Sequence, residues 1–151
     1  MTRVAVPRDA GHEAGSAVVE VLLAVLLLVP LVYLVAVVGR VQAGTFAAET
    51  AAREAVRAVV TADSAGRGAA RAEAAVRIAL RDQDLPESAG TLDIECGHEG
   101  CLAPGGEVAA VVRVAVPLPL VPGEPGRRVP AMVRVDAAHV GVVDRYAAVR
   151  P

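Results

Sequence analysis

Residues 21–38 read VLLAVLLLVPLVYLVAVV. The stretch carries no charge, and Tyr33 is its most polar side chain. A run of about 18 apolar residues is close to the minimum for a helix that crosses the hydrocarbon core of a bilayer. A buried helix in a water-soluble domain is normally shorter and keeps a polar face. The stretch therefore predicts a membrane helix. Ala17, Val18, Val19 and Gly39 extend it, interrupted only by Glu20.

The whole chain has 151 residues, room for one modest domain beside the apolar run. It is 54% hydrophobic but only 2% aromatic, so any core must be built from Ala, Val, Leu and Ile. Its formal net charge of -2 argues against nucleic acid as a main partner, because phosphate binding wants a clear basic excess. Every basic side chain is Arg and none is Lys, and no function follows from that bias.

Three readings of the apolar run are open. The first is a removable secretory signal. The apolar part of such a signal is usually about 7–15 residues. Val41-Gln42-Ala43 before Gly44 would supply its small-residue cleavage site. The second is an unprocessed signal anchor. The third depends on the preceding residues, Gly15-Ser16-Ala17-Val18-Val19-Glu20. A carboxylate at the edge of a membrane helix is costly and points to function. The plain alternative leaves Glu20 in water at the helix start, favouring the positive end of the helix dipole.

A Gly, four small or apolar residues, a Glu and a long apolar run resemble the processing signal of type IV prepilins. The resemblance implies that a prepilin peptidase cuts between Gly15 and Ser16 on the cytoplasmic side. It makes Glu20 the fifth residue of the mature chain. It also implies that Glu20 of one subunit neutralises the new Ser16 amine of a neighbour as helices pack, since a buried charge needs such a partner. Residues 47–58, AAETAAREAVRA, resemble the Ala-Ala-Arg-Glu helix after the membrane span of TadE-like minor pseudopilins of tight-adherence (Flp-type) pili. Residues 139–146, HVGVVDRY, are similar to the tail of actinobacterial members of that group. There are two departures. An aromatic residue often follows the Glu in that family, whereas Val21 stands here. The remainder is also too large for a major Flp pilin, so the likeness is to the minor proteins.

Arginine placement does not settle topology. Arg3 and Arg8 precede the run, and Arg40, Arg53 and Arg57 follow it. The resemblance implies a cytoplasmic leader at 1–15, a transmembrane helix at 16–39 and an extracytoplasmic remainder. In that remainder, 40–84 reads as helical and 85–151 as a small β-rich domain.

Alanine-rich residues 41–62 have high helix propensity. Glu49 and Arg53 stand at i,i+4 in the favourable order. Pro30 predicts a kink upstream, because it lacks an amide donor and crowds the carbonyl of Leu26. Asp63-Ser64-Ala65-Gly66-Arg67-Gly68 reads as a break, followed by a second, amphipathic helix from about Ala69 to Arg81. Ala72, Val76, Ala79 and Leu80 share one face. Arg71, Arg77 and Arg81 lie elsewhere. They read as a solvated face with Glu73 paired to Arg77, or alternatively as a contact for anionic lipid headgroups.

From Leu85 onward the period changes to two. Leu92, Ile94 and Cys96 alternate with Thr91, Asp93 and Glu95, as in a half-buried strand. Val108 to Val116 is nearly continuous in β-formers and reads as a central strand. The prolines and glycines from Pro117 to Gly126 forbid regular structure there. Val129 to Ala137 alternates again, and Val140 to Val143 extends that strand beyond a bend. The expected architecture is α+β: a long N-terminal hydrophobic transmembrane helix, a second amphipathic helix and an antiparallel sheet of about three strands.

Cys96-Gly97-His98-Glu99-Gly100-Cys101 is the only constellation with possible chemistry. In an exported domain, a close Cys pair most simply forms a disulfide across a short loop. The rival is a metal site from Cys96, His98, Cys101 and Glu99, which lacks a second ligand pair nearby. The spacing is not that of a Cys-x-x-Cys redox motif. No phosphate loop, nucleophile elbow or metalloprotease helix is present. Neither an enzyme nor a cofactor is expected.

Two functions follow. One is a minor pseudopilin in a filament, with the membrane, a prepilin peptidase and other pilins or pseudopilins as partners. The other is a single-pass envelope-anchored or secreted binding module with no filament role.

Overall fold

The computed structural model describes residues 13–98, 100–119 and 131–147. Residues 1–12, including His12, and Glu99 lie outside the described residues, as do 120–130 and 148–151. The elements are helix α1 (Glu13–Val60), helix α2 (Ala65–Arg81), a 3-10 turn (Glu87–Ala89) and strands β1 (Gly90–Cys96), β2 (Glu107–Pro117) and β3 (Met132–Val142). The fold is α+β. Two units divide the chain between Ala36 and Val37, within α1.

In the first unit, residues 21–36 of α1 carry no charge and their side chains are exposed, among them Leu22, Leu26 and Leu27, with only Tyr33 half-buried. This helix is long and apolar enough to cross a membrane. Helical backbone continues through Pro30.

In the second unit, the sequence of α1 turns amphipathic. Ala47, Ala48, Ala51, Ala52, Ala55, Val56 and Val59 are buried, while Glu49, Arg53, Glu54 and Arg57 are exposed. These apolar positions recur in pairs every four residues, which places them on one helical face. Alanine makes that face flat, so the helix approaches the sheet closely. Gly44 takes this furthest, because a Cβ there would run into Val116.

β1, β2 and β3 form an antiparallel meander in that order. Period-two alternation sends Val108, Ala110, Val112, Val114 and Val116 into the core, all fully or almost fully buried. Two clusters make up that core. One joins Ala47, Ala48 and Ala51 of α1 to Leu80 of α2 and Val112 of β2. The other joins Ala55, Val56 and Val59 to Ala72, Val108 and Val143.

Several boundaries differ from expectation, each for a local reason. α2 begins at Ala65, not Ala69, and takes in both glycines of the expected break. Ser64 is extended at its N-cap. Gly68 is buried, and a Cβ there would lie 3.2 Å from both Val59 Cα and Ala62 Cβ. It is thus a point of close approach between the two helices. Pro117 ends β2 rather than lying in irregular chain. Leu118 N donates to Ala131 O at 2.9 Å and Val143 N to Gly106 O at 2.9 Å. Alternation between these bonds makes Pro117 and Met132 a non-hydrogen-bonded pair. Pairing with β1 ends at Val114, so no partner needs the missing Pro117 N–H. β3 runs through Ala138 and His139 without the expected bend, since both stay in register with Val111 and Ala110. The expected strand start at Val129 lies outside the described residues.

α2 ends in a Schellman motif. Leu85 N donates to Leu80 O at 3.0 Å and Asp84 N to Arg81 O at 3.1 Å. Asp84 takes the left-handed position with φ 53°. Leu85 and Leu80 are both buried in the same cluster, which supplies the apolar contact of the motif. Pro86 follows and prevents continuation.

Candidate functional site

Gly15 and Ser16 fall in the opening turns of α1. Glu20 follows on the same helix and is exposed. Leu23, Ala24 and Leu27 stand three, four and seven residues beyond it, so one helical stripe carries the carboxylate and then only apolar side chains. No basic side chain pairs with Glu20 among the described residues. A carboxylate in that setting stays wet at an interface or takes a cationic partner from another molecule.

The cysteines lie in the second unit, at the turn between β1 and β2. Cys96 ends β1, and its disulfide to Cys101 spans a Cα–Cα distance of 4.8 Å. Backbone bonds shape the loop: Gly97 N to Glu107 O at 2.9 Å and Gly100 N to Gly97 O at 3.0 Å. Gly100 has φ 100° and Gly105 φ 77°, conformations that favour glycine. With both sulfurs joined, the rival metal set loses its two thiolates, and Glu99 lies outside the described residues. Among the described residues, no three His, Cys, Asp or Glu side chains converge as metal ligands. His139 is an exposed residue of β3.

The Arg positions of α2 are exposed as expected, but their pairing differs. Arg77 has no ion pair with Glu73. Arg81 instead pairs with Glu87 of the 3-10 turn, and Arg67 lies 3.5 Å from Asp63. Glu49 and Arg53 do meet, at 4.0 Å.

Sequence reasoning missed a further surface. One sheet face packs on the helices. The other carries Ala109 and Val111 of β2 beside Ala138, Val140 and Val142 of β3, outside both core clusters. Asp93 on β1 pairs with Arg113 across this face. The signal was present in the β2 sequence, where Ala109 and Val111 are apolar at outward positions.

No protein-family model, curated protein or solved structure matches the chain significantly.

Proposed function

We propose that this chain is a minor pseudopilin of the TadE-like kind, a structural subunit of a tight-adherence or type IV-like pilus or secretion filament. The apolar part of α1 holds it in the cell membrane with the α+β domain outside. A prepilin peptidase removes residues 1–15. The mature helix then leaves the bilayer to pack among other pilins or pseudopilins.

One observation carries this reading: Glu20 stands exposed and without a described ion pair where an apolar helix begins, four residues after Ser16. A passive anchor gains little from a carboxylate there, because α1 starts at Glu13 and the helix dipole acts mainly on the first turn, while moving the charge into hydrocarbon is unfavourable. A packing helix gains an ion pair with a neighbour's Ser16 amine. The disulfide across the β1–β2 turn supports an exported domain, because such bonds persist in oxidising compartments. The role is structural, so neither catalysis nor a cofactor is assigned.

The mature N-terminus tests this. Mass spectrometry of protein from cells with an active prepilin peptidase is expected to find Ser16 first. Gly44 would identify a secreted binding module. Met1 or Thr2 would identify an unprocessed anchor and overturn the proposal.

A further inference from the structure

β3 is an 11-residue strand at the edge of the sheet, paired with β2 on one side only. Leu118 N donates to Ala131 O and Val143 N to Gly106 O, so the odd-numbered residues of β3 direct their hydrogen bonds to β2. The N–H and C=O groups of Arg134, Asp136, Ala138 and Val140 therefore point to the free edge, where no described residue meets them. Such an edge is a template for another strand. The side chains of these four residues lie on the open sheet face, where charge alternates from strand to strand. Asp93 of β1 pairs with Arg113 of β2, and Arg113 stands opposite Asp136 of β3. The series ends at the edge on Asp136, with Arg134 two residues before it on the same face. Neither Arg134 nor Asp136 has an ion pair among the described residues.

We infer that β3 pairs with β3 of a second copy, antiparallel and centred on Val135, to make one six-stranded sheet. Only the even-numbered residues carry free hydrogen-bonding groups, so a two-fold ladder centres on one residue that stands opposite itself. Centring on Val135 sets Arg134 opposite Asp136 of the second copy, and Asp136 opposite Arg134 of the second copy. A slip to Arg134 or to Asp136 sets like charges directly opposite, which is destabilising. Centring on Ala137 leaves both charges facing apolar residues, Ala138 and Val140. In the Val135 register, Val133 meets Ala137 and Val135 meets itself, so half-buried side chains of the inner face gain cover. The other edge, β1, fits its own copy less well. Pairings centred on Asp93 or Ile94 set acid against acid at Asp93 and Glu95. The β3 contact is isologous and closes at two copies, so it joins two of these domains and does not by itself extend a filament. It concerns the second unit and does not rest on the filament reading.

The test uses the full chain in detergent micelles. In this register Met132 lies opposite Ala138 of the second copy. Met132→Cys combined with Ala138→Cys is therefore expected to give a covalent dimer on a non-reducing gel after mild oxidation. Neither single variant should cross-link, because each position lies about 20 Å from its own counterpart. Met132→Cys with Val142→Cys reports the register centred on Ala137 and should not cross-link either. On the first double-Cys background, Arg134→Asp alone and Asp136→Arg alone should each lower the dimer yield about tenfold, since like charges then face each other twice. An equal mixture of those two variants should restore the dimer, since every Asp then meets an Arg, and that rescue also shows that both still fold. No covalent dimer, cross-linking through 132 and 142, or no rescue in the mixture overturns the contact. An edge that serves the strand of a different protein leaves this chain monomeric and overturns it as well. A Ser16 N-terminus without a dimer leaves the filament reading standing. A dimer from a chain that still begins at Met1 or Thr2 does the reverse.

Discussion

Val56 of α1 lies directly over Gly141 of β3, so close that a Cβ on Gly141 would overlap Val56 Cγ1. Val56 is stiff, because a β-branched side chain in a helix has one strongly preferred rotamer. The helix therefore rests on the strand at a point where only hydrogen fits. Gly141→Ala should destabilise the domain by about 1–3 kcal/mol, the usual cost of overpacking a core. Urea unfolding of the full chain in micelles measures it. No loss would mean that α1 can lift from the sheet at little cost.

Leu80 is the largest side chain in its cluster that is fully buried. It joins α2 to the Ala face of α1, and its carbonyl closes the turn at Leu85. Leu80→Ala should cost about 2–5 kcal/mol from lost burial and the cavity left behind. By contrast, Asp93→Asn should cost about 1 kcal/mol or less, because Asp93 and Arg113 are more than half exposed. Thermal melts of the two variants should separate clearly.

Asp84 holds a left-handed conformation at the end of α2. Side chains other than Gly lose roughly 1–2 kcal/mol there, and Asp somewhat less. Asp84→Gly should raise stability by about 0.5–1 kcal/mol, seen as a higher urea midpoint at unchanged slope. A fall would show that the Asp84 side chain stabilises the turn in its own right.

The disulfide closes a short loop, so its entropic contribution is modest, about 2 kcal/mol. Cys96→Ser with Cys101→Ser should lower the unfolding free energy by that amount and leave the sheet in place. Amide exchange should quicken first around Gly97 and Gly106, which the loop bonds protect. Uniform loss of protection would show instead that the sheet depends on the bond.

Glu20→Ala should leave membrane insertion unchanged, since it removes a carboxylate from an apolar helix. Filament incorporation should fall sharply, measured as the sheared extracellular fraction against the membrane fraction. Equal incorporation would remove the charge-pairing argument.

Local periodicity and composition determined much of this protein. The run at 21–38 specifies an exposed apolar helix, because no polar side chain breaks it. Alternation at Leu92, Ile94 and Cys96 specifies a half-buried strand. The order of helices before strands determined the α+β class, and the short gap between Cys96 and Cys101 brought the disulfide within reach. Only the tertiary structure decided what the glycines do. Gly68 read locally as part of a break and Gly141 as an ordinary strand residue, yet each serves where another element comes too close for a side chain. Pro117 could join β2 only because register placed it opposite a residue that needs no hydrogen bond from it. The open face of the sheet was likewise undetermined by sequence. Alternation says that two faces differ, and only packing of both helices on one of them leaves Val111 and Val140 uncovered. The physical reason is common to these cases: periodicity is a property of neighbours along the chain, whereas close approach and coverage belong to residues that folding alone brings together.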